Sequence, residues 1–95
     1  MLPQASKEGE FMTKFYLVNY CAECGAAPED FKNAEAELEG KLAKNFPNPK
    51  RLSIPNTWLV SGKDVTSGEI WLEAYTPGLN LNVMKVSEDR AANLR

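Results

Sequence analysis

"KRLSIPNTWLVSGKDVTSGEIWLEAYTPGLNLNVMKV", residues 50–86, decides the fold. At its centre Thr66-Ser67-Gly68-Glu69 has the spacing of a capping box, in which hydroxyl and carboxylate each accept an N–H at a helix start. Ile70, Trp71, Ala74 and Tyr75 follow, so a short helix is expected over 67–76, stopped by Thr76-Pro77-Gly78. Upstream, "NTWLVSG" (56–62) reads as a strand and "KRLSI" (50–54) as a shorter alternating one. Pro55 between them interrupts a ladder, which marks an edge, a bulge or a bend. Downstream, Leu79, Leu81 and Val83 alternate with Asn80 and Asn82, the two-residue period of a strand with one buried face. "SEDRAANLR" (87–95) is a polar tail that either docks or frays.

Outward toward the N-terminus, "TKFYLVNY" (13–20) is aromatic and β-branched, which suits a central strand. "CAECGAA" (21–27) supplies the turn. Pro28 fits a first helical position, and Glu29 and Asp30 complement the positive end of the helix dipole. Phe31, Ala34, Leu38 and Leu42 recur at helical spacing, so a helix is expected from 28 to 45, ending before "FPNP". Residues 1–11, "MLPQASKEGEF", are polar and aperiodic. They are expected to be a tag or a disordered tail, an expression remnant or an upstream start before Met12.

The order is strand, helix, one or two strands, helix, strand. This predicts one α+β domain over 12–95, a ferredoxin-like βαββαβ sandwich with an antiparallel sheet and two helices on one face. The other face of such a sheet needs a cover, and pairing with a second copy is a common way to supply one.

Composition narrows the chemistry. The chain has 95 residues, 11 basic and 13 acidic side chains and a net charge of −2, which opposes broad nonspecific nucleic-acid binding. It has no histidine, which removes Ser-His-Asp and Cys-His nucleophiles and histidine-based zinc catalysis. Two cysteines are too few for a disulfide framework, no stretch has the length of a membrane span, and no secretory signal is expected. The cytoplasm is the expected compartment. No cofactor is called for.

Cys21-Ala-Glu-Cys24 is a lone C-x-x-C, open to three readings. Two chains meeting on a two-fold axis would together supply the four thiolates of a structural zinc site. A dithiol at a strand end ahead of a helix matches thioredoxin-like placement, with Pro55 as the facing proline, although residues 25–54 lack the further strand and helix which that fold requires. Otherwise both are small apolar packing residues.

Among charged residues, Lys50 and Arg51, with Lys44 near in sequence, form the best basic cluster, a candidate for salt-sensitive contacts to nucleic-acid phosphates. Lys41 and Lys44 also suit the negative pole of the first helix. Glu35, Glu37 and Glu39 read as a solvated face. Trp58, Trp71, Tyr16, Tyr20 and Phe31 are able to stack bases, but most are expected in the core. "SGKD" lacks the glycines of a phosphate loop.

Over 13–94 the chain resembles the small ferredoxin-like proteins related to the CRISPR-associated Cas-two endonucleases. "FYLVNY" resembles the first strand of that family and "TWLV" its Ser/Thr-Trp-Leu strand. "VTSGEIWLEAY" resembles its second helix, and "LNVMKVSEDRAANL" its last strand and extension. The resemblance implies a homodimer joined sheet to sheet. It also implies either a metal-dependent nuclease or a non-enzymatic partner of nucleic acid or protein. In the nucleases an Asp follows an aromatic residue at the end of the first strand and binds a divalent ion. The matching position here is Cys21, after Tyr20, with Glu23 two residues on. A hard ion prefers carboxylate oxygen to sulfur, so the expectation is a binding protein with no catalytic residue and no metal ligand. A nuclease with a rearranged site and a thiol–disulfide protein are the alternatives.

Overall fold

The computed structural model describes residues 13–94. The tail expected over 1–11 lies outside them. In chain order the elements are β1 (Thr13–Ala22), α1 (Pro28–Asn45), β2 (Lys50–Arg51), β3 (Thr57–Lys63), α2 (Ser67–Ala74), β4 (Leu79–Val86) and α3 (Glu88–Leu94). The sheet has four strands in the order β2-β3-β1-β4, all paired antiparallel. This is the ferredoxin-like arrangement read from the sequence, with one additional helix at its end.

β1 sits at the centre because both of its neighbours match its alternation. Tyr16, Val18 and Tyr20 point to one face, in register with Val60, Trp58, Val83 and Leu81. α1 and α2 cover that face, burying Ala34, Leu38, Leu42, Ile70 and Ala74 against it. Each fully buried Leu or Ile there is worth roughly 1.5–3 kcal/mol of transfer free energy. α1 starts and stops where the sequence predicts: Pro28 opens it, and the N–H of buried Phe46 closes it on the Leu42 carbonyl at 3.0 Å. Inside this core the Tyr16 hydroxyl donates to the Val65 carbonyl at 2.6 Å. Burial, and then the charge of Glu69, raises the Tyr16 pKa.

α2 has the capping box. Thr66 Oγ1 accepts from the Glu69 N–H at 3.1 Å, and Glu69 Oε1 accepts from the Thr66 N–H at 2.8 Å. The helix ends at Ala74, not at 76. Thr76 precedes Pro77, which disfavours helical backbone, and its hydroxyl turns back to the Ala74 carbonyl at 2.9 Å. Gly62, near the end of β3, is held to glycine by crowding: a Cβ there would lie 2.9 Å from Val65 Cγ2.

Two sequence expectations change. "KRLSI" pairs only over Lys50–Arg51. The Leu52 N–H then bonds the Thr57 carbonyl at 3.1 Å, and Asn56 takes a positive φ of 55°, so 52–57 is a turn with Pro55 inside it. The tail 87–95 contains a helix. Ser87 caps α3, its Oγ accepting the Arg90 N–H at 3.2 Å. Ala91 is wholly buried and Leu94 packs beside it, against Leu52, Leu59, Val86, Phe15 and Leu17 on the second face of the sheet. Part of the cover expected from a second copy is therefore supplied by the chain itself.

Candidate functional site

Three surfaces carry the residues singled out in the sequence. The first is the turn after β1. The Glu23 N–H bonds the Gly78 carbonyl and the Ala26 N–H bonds the Glu23 carbonyl, both at 3.1 Å, and Gly25 turns the chain at a φ of 85°. Cys21 pairs with Asn80 on the second face of the sheet, and Cys24 lies in the turn. Both thiols are free and exposed, so the reading of them as packing residues does not hold. The helix N-cap is Ala27, three residues beyond Cys24 in the chain. Among the described residues no group of three or more Cys, Asp or Glu is placed to hold a metal ion.

The second surface is the edge at β2. Successive strand residues point to opposite faces, so Lys50 and Arg51 part company. Arg51 is on the helix side, in register with Trp58. Its guanidinium lies 5.8 Å from the Trp58 ring centroid and its Nη2 is 3.8 Å from Glu35 Oε2. The same carboxylate oxygen accepts from the Tyr20 hydroxyl at 2.6 Å. The Tyr20 pKa is pushed up to about 12, first by burial and then by the hydrogen bond and charge of Glu35. Lys50 is on the other face, beside Leu59, at the rim of a groove of about 420 Å³ that also touches Phe15, Pro47 and Ser61. Lys44 is exposed in the last turn of α1. The three basic residues are not gathered on one face.

Glu35 is a residue whose role the sequence hid. It belongs not to a solvated acidic face but to a half-buried link between α1, β1 and β2. The periodicity offered one signal, since position 35 adjoins the buried stripe at Ala34 and Leu38. Glu37 does fit a solvated face, paired with Lys41 one turn on at 3.2 Å. Lys41 in turn donates to the Tyr75 carbonyl, tying α1 to the end of α2.

The third surface is the second face of the sheet, around the margin of α3. At one end it is polar, with Asn19 between Thr57 and Asn82, and Cys21 beside Asn80. Asn19 Nδ2 donates to Thr57 Oγ1 at 2.9 Å, which holds one amide in place. At the other end Leu17 lies between Leu59 and Met84 in direct register, and Met84 is 52% exposed. Of the aromatic residues, Tyr16, Tyr20 and Trp58 are buried as expected and Phe31 packs on the core. Trp71 and Tyr75 are not core: both are exposed, on α2 and at its C-cap, with ring centroids 5.2 Å apart. No helix among the described residues is long and apolar enough to cross a membrane.

No family model matches the chain, and no curated protein or solved structure matches it.

Proposed function

We propose that this chain is a small, non-catalytic binding module that pairs with a second copy through the second face of its sheet and serves a protein partner. The carrying observation is the apolar strip at the margin of α3, where Leu59 and Leu17 are covered by that helix and Met84, next in register on β4, is left 52% exposed. A two-fold contact lays such a strip on its own copy, so one apolar patch suffices for both sides. The resemblance to the Cas-two group supports the same arrangement. A protein partner is favoured over nucleic acid because Arg51 is engaged by Glu35, and Lys44 and Lys50 lie apart. Absence of hydrolysis is supported by sulfur at Cys21 in the position where the nucleases of that group use Asp.

Sedimentation equilibrium tests the pairing. A dimer that Met84→Lys converts to monomer is the expected result, and a wild-type monomer at every concentration overturns it. Incubation with RNA and DNA in the presence of Mg²⁺ or Mn²⁺ tests the chemistry. Cleavage that disappears on Glu23→Ala would restore the nuclease reading.

A further inference from the structure

On the opposite side of the molecule from the proposed pairing face, α2 turns Ile70 and Ala74 into the core and presents the rest of its circumference to solvent. Trp71 is 38% exposed, Tyr75 46% and Leu72 70%. At 3.6 residues per turn these three form one stripe with Gly68, which lies one turn before Leu72. A Cβ at Gly68 would meet only Thr66 Oγ1, at 3.8 Å, so the stripe has a shallow notch at its upper end. Three large apolar side chains on the eight-residue α2 and its C-cap are more than scattered surface apolarity, and no element among the described residues covers them.

The charges on α2 itself have one sign. Glu69 and Glu73 are four residues apart on the neighbouring ridge of α2, where like charges repel. Glu73 is also close to the C-terminal end of the helix, where the dipole disfavours an anion, and that last turn contains no basic residue. The ion pairs among the described residues, Lys41–Glu37 and Arg51–Glu35, give neither carboxylate a cation. Lys41, which reaches the end of α2, is held by Glu37 and the Tyr75 carbonyl. Glu73 thus weakens its own helix, and the local structure offers no return for it.

We infer that the Trp71–Leu72–Tyr75 stripe of α2 docks a cationic amphipathic helix of a partner protein, with Glu69 and Glu73 pairing its Lys or Arg residues. Apolar side chains of the partner fill the notch at Gly68 and cover Leu72. Basic side chains on the Leu72 flank reach the two carboxylates, and others lay their methylene stems across the Tyr75 and Trp71 rings, gaining cation–π attraction.

The probe is a fluorescein-labelled amphipathic Leu/Lys peptide helix, compared with its Leu/Glu counterpart and a scrambled Leu/Lys peptide. Anisotropy should report binding of the first alone. Leu72→Ser should weaken it about tenfold, as truncation of an interface anchor does. Glu73→Lys should weaken it several-fold and flatten its salt dependence. Both side chains are exposed, so the fold tolerates both changes. The inference fails if the Leu/Lys peptide does not bind, if the Leu/Glu peptide binds equally, or if the two variants bind like wild type. It also fails if Leu72→Ser alone changes the mass of the protein in solution, for the stripe would then serve a second copy. Met84→Lys, which addresses the sheet face, should leave peptide binding unchanged, so the two readings stand or fall separately.

Discussion

The Tyr20 hydroxyl donates to Glu35 Oε2 at 2.6 Å, joining the central strand to the long helix through a carboxylate that also faces Arg51. Tyr20→Phe removes the donor and leaves Glu35 to the longer Arg51 contact. Stability should fall by about 1 kcal/mol, the net worth of a typical hydrogen bond, as read from the urea midpoint. Glu35→Ala should cost more, because it leaves both the buried hydroxyl and the guanidinium without their acceptor.

The same contact sets an alkaline limit. The Tyr20 pKa is raised from 10.0 to about 12 in the folded protein. The folded state therefore holds the proton more tightly than the unfolded chain, and this contribution is complete below the unfolded value. It is lost as the pH rises from 10.0 to about 12. Urea midpoints measured across that window should decline, and Tyr20→Phe should flatten much of the decline. The raised pKa of Tyr16 adds a slope of the same sign.

Gly62→Ala places a methyl group 2.9 Å from Val65 Cγ2 and should destabilise the fold by about 1–3 kcal/mol, the usual cost of overpacking. Val65 also offers its backbone carbonyl to Tyr16, which restrains the backbone and leaves relief to its side-chain rotamer. The double variant Gly62→Ala/Val65→Ala should be more stable than the sum of the single losses predicts. Strict additivity in that cycle would show that the two side chains do not meet.

Thr66→Ala removes one half of the capping box and should cost about 1 kcal/mol, with Thr66→Ser recovering most of it. Thermal unfolding followed by circular dichroism measures both. An unchanged midpoint in Thr66→Ala would mean that α2 is held by Ile70 and Ala74 alone.

Cys21 and Cys24 are free and exposed, so both should react with a soluble disulfide reagent in the native protein without denaturant. Cys21→Ser and Cys24→Ser should each shift stability by less than ~0.5 kcal/mol, the range of ordinary surface substitutions. A larger loss would return the thiols to a packing or bridging role.

The elements the sequence displays well are those whose signals are local. The Thr66–Glu69 box and Pro28 mark helix starts, and β1 and β4 alternate clearly. α3 is less visible because its apolar side reduces to Ala91 and Leu94, three residues apart, with no longer stripe to betray it. Its cap, Ser87, lacks the reciprocal Glu of a capping box and offers Arg90 instead. The Glu35–Arg51 contact is hidden for another reason. It joins residues brought together only by the packing of α1 over β2 and β3, and no spacing along the chain encodes that. The exposure of Trp71 and Tyr75 is equally a tertiary fact, since their composition alone argues for the core.

β2 pairs with β3 only at Trp58 and Leu59, so the outer backbone edge of β3 runs on past the β2 ladder at Val60 and Ser61. Such an edge is a template on which a stray strand can nucleate fibrillar aggregates. Three features of this chain limit the hazard: the open run is short, Gly62 weakens it as a pairing surface, and Lys63 charges its far end. Replacing that lysine with an aliphatic residue would trade solubility for stickiness at this margin of the sheet.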